Sequence, residues 1–173
     1  MAVATIPLIP KDGTLLINDG AGSPLGYTIV YEDGDLQVTG LMEGQLSVQR
    51  FDDRGVPYAV RSVQRENIEF SFSLHAISLL GDGTTAMISD VALKLGVWAS
   101  ATSLTGATSA LGDAYLVKLT FTGERSNFGA TADTTMVLKY CRLSLDVAEG
   151  VPGKWSVKGT AFPLSSDYFT LTG

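Results

Sequence analysis

The sequence predicts a mainly β protein: an antiparallel β-sandwich or half-barrel with one flanking α-helix at about 84–95. Residues 67–74 read Asn-Ile-Glu-Phe-Ser-Phe-Ser-Leu, with Ile68, Phe70, Phe72 and Leu74 on one side and Glu69, Ser71 and Ser73 on the other. Successive side chains of a strand point to opposite faces, so this alternation marks a half-buried strand. The same period returns at 45–51, 115–122 and 155–161. One segment departs from it: Met87, Ile88, Val91, Ala92 and Leu95 fall at helical spacing.

The elements follow in order. Residues 1–12, with Pro7 and Pro10, predict an extended N-terminal arm that docks on a neighbour or hangs loose. Thr14–Ile17 is a short strand ended by Asn18-Asp19-Gly20, and Tyr27–Tyr31 is a second, followed by the turn Asp33-Gly34. Residues 36–41 and 44–51 come next; in the latter Leu46 and Val48 share one face, and Gln45, Ser47 and Gln49 the other. Asp52-Asp53-Arg54-Gly55 has turn chemistry, and 56–63 runs back to the strand at 67–74. The expected arrangement is a meander of antiparallel hairpins. Thr84 or Asp82 is placed to cap the helix, which lies on the sheet, and Gly96 to end it. Residues 99–114, rich in Ser, Thr, Ala and Gly, predict a surface loop or a segment that orders on assembly. Tyr115–Thr122 is a strand. In the long strand 135–147 the apolar set is Met136, Leu138 and Tyr140, then Leu143, Leu145 and Val147. The face switches near Cys141, which predicts a bulge there or burial on both sides. Trp155, Val157, Gly159 and Ala161 alternate with Ser156, Lys158 and Thr160, and 163–173 is a C-terminal tail whose Tyr168, Phe169 and Leu171 are expected to dock. No repeat or low-complexity block divides the chain, so 1–173 is read as a single domain.

The totals narrow the function. Only 17% of the 173 residues are charged, against a usual level of about 25%. A net charge of −6 argues against a surface that grips DNA, which needs clustered Lys and Arg, and suits one that nucleic acid passes without sticking. One cysteine excludes a disulfide-stapled module. The start shows no leader-like pattern, and no apolar run reaches 18 residues, so a cytoplasmic site of synthesis and no membrane are expected.

Catalytic chemistry finds little material. His75 is the one histidine, and no nucleophile pattern surrounds it; it reads as a polar strand-end residue. Cys141 lies next to Arg142, yet its place at the face switch makes it a small core residue. One Cys and one His cannot build a zinc site within a monomer. Asp33-Gly34-Asp35 and Asp82-Gly83 lack the spaced acidic series of a calcium loop and are turns. Asp52 and Asp53 are adjacent strand residues that point apart, so they make no glycosidase pair. Gly81-Asp82-Gly83-Thr84-Thr85 lacks the Walker lysine and is a helix cap. No enzyme, metal or cofactor is expected. What remains is sheet edges, loops and small polar faces, the materials of self-assembly.

Early strands with a charged tip at 52–55, a mid-chain helix at 84–95 and a final pair, Met136-Val-Leu-Lys-Tyr-Cys-Arg-Leu-Ser-Leu-Asp with Gly153-Lys-Trp-Ser-Val-Lys-Gly-Thr-Ala-Phe, together resemble a tail tube (major tail) protein of a long-tailed bacteriophage. The resemblance spans roughly 14–162 and is one of layout, size and composition. It implies a virion subunit that forms stacked, hexameric rings, a tube whose sheets join around a lumen, and DNA passing transiently and non-specifically through it during ejection. Its partners would be copies of itself and other tail proteins. Under this reading Gln45, Ser47, Gln49, Glu69, Ser71 and Ser73 face the lumen or a subunit seam. Asp52, Asp53 and Arg54, with the loop 99–114, make ring-to-ring contacts. Lys118 and Lys158 stand on polar faces, against a lining free of cations. The competing readings are a head decoration or baseplate subunit, or a carbohydrate-binding β-sandwich displaying an aromatic platform.

Overall fold

The computed structural model describes residues 13–31, 36–40, 47–53, 56–64, 67–76, 81, 84–104, 115–123, 133–148 and 153–172. The strands are β1 (Gly13–Asn18), β2 (Gly26–Tyr31), β3 (Gln37–Thr39), β4 (Ser47–Asp53), β5 (Val56–Gln64), β6 (Ile68–Ala76), β7 (Val117–Gly123), β8 (Thr134–Ala148), β9 (Gly153–Ala161) and β10 (Phe169–Thr172). The helix α1 is Ile88–Leu93, and a single 3-10 turn follows at Gly96–Trp98. Eight strands form one antiparallel sheet in the order β2-β1-β7-β8-β9-β6-β3, with β10 also on β8. Among the described residues β4 and β5 pair only with each other, in a separate two-stranded sheet. The expected mainly β, antiparallel fold with one helix is therefore present.

The long strand β8 joins two halves of the sheet. Its first part, up to Cys141, has β7 on one side and β10 on the other. Its second part, from Cys141 to Ala148, pairs with β9. Cys141 faces Val117 and Ala161 at once, so β9 and β10 lie end to end along one side of β8. Residues 162–168 leave that line and return. Phe162 N–H donates to the Tyr140 carbonyl at 3.2 Å and Lys139 N–H donates to the Tyr168 carbonyl at 2.8 Å, which fixes both ends of the excursion. What sequence reasoning treats as a tail from 163 thus contains a strand, and Tyr168 is buried while Leu171 stays exposed.

The expected change of face is a β-bulge. Leu119 pairs with Leu138 and Val117 with Cys141, so three steps along β8 match two along β7. Tyr140 takes up the extra length with φ 57, in the left-handed region that non-glycine residues seldom enter. Leu138 and Tyr140 are buried before the bulge; Cys141 is buried and Leu143 and Leu145 half-buried after it. Each half of β8 therefore turns its own apolar side to the core.

That core is one cluster. Leu15, Ile17, Leu119 and Leu138 come from one half, Phe70, Phe72, Trp155 and Val157 from the other, and Ile88, Val91 and Trp98 from the helical segment. Burying each large apolar side chain contributes about 1.5–3 kcal/mol. Close approach is achieved at Gly159, where an added Cβ would lie 2.2 Å from Phe70 Cζ.

Two expectations are corrected. The helix is shorter than 84–95: Met87 is extended, with φ −110 and ψ 164, and Lys94 closes the helix with φ 56. Its cap is Asp90 rather than Thr84, since the carboxylate Oδ2 accepts the N–H groups of Met87 and Gly81, each at 2.9 Å; Asp82 lies outside the described residues. Leu95, the last residue of the helical period, lies past Lys94 and is exposed, not core-facing. The meander also stops early. Among the described residues β5 pairs with β4 and not with β6, which lies between β9 and β3. Alternation fixes which side of a strand is apolar, but any strand with the same period is an equally good neighbour. The N-terminal arm 1–12 and the loop 105–114 lie outside the described residues.

Candidate functional site

The polar side of β6 continues across four strands. Registers place Thr39, Glu69, Thr160 and Arg142 in one row across β3, β6, β9 and β8, and Gln37, Ser71, Lys158 and Ser144 in the next. Ser73, Ser156 and Asp146 form a third row on β6, β9 and β8. Neighbouring strands lie about 4.8 Å apart, so each row is a ladder of side chains within reach of one another. The first two rows line an open concavity of about 590 Å³. Phe70, Gly159 and Leu143 supply its floor from the intervening row, and the buried Phe70 ring lies on the opposite, core side.

Charge on this face is mixed. Lys158 Nζ stands 3.3 Å from Asp146 Oδ2, with both side chains about two-thirds exposed (66% and 64%). Such an exposed pair contributes at most about 1 kcal/mol. Glu69 and Arg142 share a row two strand spacings apart, roughly 10 Å at the backbone, with Thr160 between them. Arg142 and Lys158 thus meet the single carboxylate of Glu69 in the lining, with Asp146 offsetting them from the third row.

Of the six residues predicted to share a polar face, the structure brings together three: Glu69, exposed, and Ser71 and Ser73, half-buried. Ser47 and Gln49 belong to β4, in the other sheet, so they do not extend this face. The expectation of one shared strip is corrected there; Gln45 lies outside the described residues. Arg142, Ser144, Asp146, Gln37 and Thr39 complete the face instead. Their signal is the alternation along 142–148 and 156–160, which becomes a site only once β8, β9 and β6 are neighbours. Lys118 lies on β7, opposite Asn18, in the other half of the sheet.

Asp52 and Asp53 end β4, opposite Pro57 and Val56, just past an irregularity in register at Phe51. They sit at the end of the separate ribbon; Arg54 lies outside the described residues. Of the loop 99–114, residues 99–104 are described, and their start is tied to the β1–β2 turn. Asp19, 4% exposed, accepts Leu25 N–H at 2.9 Å through Oδ1 and Thr102 N–H at 2.9 Å through Oδ2. Gly20 N–H donates to the Thr102 carbonyl at 2.7 Å.

Cys141 and His75 both lie on strands of the sheet. Cys141 is fully buried, and burial pushes its thiol far up, so the nucleophilic thiolate is disfavoured. His75 pairs through its backbone with Lys154. Among the described residues no group of three or more His, Cys, Asp or Glu is placed to hold a metal ion. No helix of the described residues is long and apolar enough to cross a membrane. No protein-family model matches this chain, and no curated protein matches it.

Proposed function

We propose that this chain is a structural virion subunit that assembles with copies of itself into stacked, hexameric rings, forming a phage tail tube through which DNA passes. The observation that carries this reading is the β4–β5 ribbon. Strands of seven and nine residues pair with each other and, among the described residues, with nothing else. A lone two-stranded ribbon is marginal in water, and a third surface must cover it. In a stacked assembly that surface belongs to the next subunit, with Asp52, Asp53 and Arg54 at the contact.

The sheet supports the same reading. Among the described residues it ends in β2 on one side and β3 on the other. Such edges carry unpaired N–H and C=O groups that invite pairing with another chain, and ring closure satisfies them in a controlled way. The polar face of β3, β6, β9 and β8 is assigned to the lumen. The carbohydrate reading loses support there, because the concavity's aromatic residue, Phe70, is 3% exposed and offers no platform.

The test is negative-stain microscopy of the purified protein, alone and seeded with tail fragments. Stacked rings of six are expected. A monomer that stays monodisperse under both conditions would overturn the reading.

A further inference from the structure

We propose that the N-terminal arm docks on its own subunit, with Ala2–Ile6 pairing as an extra strand along the outer side of β10. The proposal stands apart from the tube reading. Among the described residues β10 bonds β8 on one side and no strand on the other. Its apolar side is uncovered too. The registers run one row across Ile29, Leu15, Phe121, Met136 and Leu171. Ile29 and Leu15 are buried, Phe121 and Met136 half-buried, and Leu171 is 64% exposed. The cover over the core thus thins toward β10 and leaves a leucine in the open beside an unpaired edge. Such an edge invites another strand, and natural sheets cover it.

The chain has a strand to offer at the matching end of the sheet. Gly13 opens β1 opposite Gly123, which faces Thr134, and the next row joins Thr14, Thr122, Thr135 and Thr172. The chain therefore enters β1 at the end of the sheet where β10 finishes. A strand outside β10 lies four strand spacings from β1, about 19 Å. Extended chain covers about 3.3 Å per residue, so the six residues 7–12 span about 20 Å. Pro7 and Pro10 fall in that crossing, where no ladder N–H is needed. Ala2–Ile6 is free of proline and carries the β-branched Val3, Thr5 and Ile6. Reached by this crossing, it runs parallel to β10 with Ile6 at the Leu171 end. Strand alternation sets Ala4 and Ile6 on one side and Val3 and Thr5 on the other. Ile6 then covers Leu171, and Thr5 joins Thr170 and Thr172 on the opposite face.

The experiment is NMR of the unassembled, isotope-labelled full chain with a nitroxide attached at Thr5→Cys. Cys141 is fully buried and shielded from the label. The amide signals of Phe169–Thr172 are expected to broaden strongly, while those of β3 and β6 stay sharp. Equal broadening along the whole sheet, or none at β10, would overturn the proposal. In a mixture of spin-labelled, isotope-free protein with isotope-labelled protein lacking the nitroxide, β10 should stay sharp. Broadening there would place the arm on a second copy and refute pairing within one subunit. A second variant replaces residues 2–6 by a Gly-Ser repeat. Its β10 amides that do not bond β8 should exchange at least about tenfold faster than in the wild type. The β9 amides should keep their rates and so report an intact fold. Unchanged exchange at β10 also refutes the proposal. Neither readout involves tubes, so a failure of the tube reading leaves this one standing.

Discussion

Gly159 shows how a single residue sets a limit on the core. An added methyl would lie 2.2 Å from Phe70 Cζ and 2.7 Å from the Arg142 carbonyl oxygen. Phe70 is 3% exposed and stacks against Phe72, with ring centroids 6.5 Å apart, so it has no free space to enter. Gly159→Ala is therefore expected to cost about 1–3 kcal/mol, the range for overpacking. Calorimetry should show the midpoint falling by several degrees, since about 1 kcal/mol corresponds to roughly 2–4 °C in a chain of this size. Phe70→Leu in the same background should recover part of the loss, and no recovery would mean the backbone contact dominates. A second residue-scale device is Asp167, whose carboxylate bonds Lys139 and Ser165 and pins the 162–168 excursion. The Lys139 and Ser165 hydrogen bonds hold its carboxyl down at about 2, against an ordinary 3.8. A depressed folded-state value means stabilisation that is present above about 4 and lost as pH falls through about 2. The Lys139 and Tyr168 resonances should shift across that window, and Asp167→Asn should leave them flat.

Elements differ in how much of them the sequence discloses. The change of face in β8 is legible because its apolar residues change from even to odd numbers at Cys141, and of the two explanations open to the sequence, a bulge or burial on both sides, the register shows the bulge. The two faces of β6 are legible for the same reason. The partners of β6 are not: nothing in an alternation of Phe and Ser distinguishes β5 from β9 as a neighbour, and the pairing is set by residues some 80–90 positions away, such as Trp155 opposite Leu74. The polar face inherits that gap, since half its residues lie on strands brought together by the pairing. The helical period marks the helix but overstates its length, because the cap reaches back from the third helical position, where Asp90 reads as an ordinary buried-face residue. That cap is testable. Asp90 is 2% exposed and takes two backbone N–H groups. Asp90→Ala leaves both without a partner, at a cost of about 1–3 kcal/mol for a buried unsatisfied group. Hydrogen exchange at Gly81 and Met87 should accelerate relative to β8, whose ladder does not depend on the cap. Unchanged exchange at both amides would show that water or another acceptor replaces the carboxylate at no cost.

At the scale of the whole molecule the sheet and the ribbon have different roles in the proposed assembly, and this separates two kinds of failure. Under that proposal the sheet's edges, β2 and β3, would close a ring by main-chain pairing, which is insensitive to charge at the ribbon tip. The ribbon lies in a separate sheet from β2 and β3, and under the same proposal it would reach the next ring. Charge reversal at the tip, Asp52→Lys with Asp53→Lys, changes the local charge by four where the tip meets its neighbour. Placing like charges against a fixed complementary surface costs several kcal/mol, and the cost recurs at every subunit of a six-fold ring. Stacking should therefore fail cooperatively while ring formation survives. Microscopy of the variant is expected to show single rings or short stacks, and analytical ultracentrifugation a species near six subunits in place of long tubes. Raising the salt should restore some stacking, because screening shortens the reach of the repulsion to about 8 Å near physiological ionic strength and less above it. Tubes of wild-type length from the reversed protein would remove the stacking contact from the tip and leave the cover for the ribbon to be sought within a single ring.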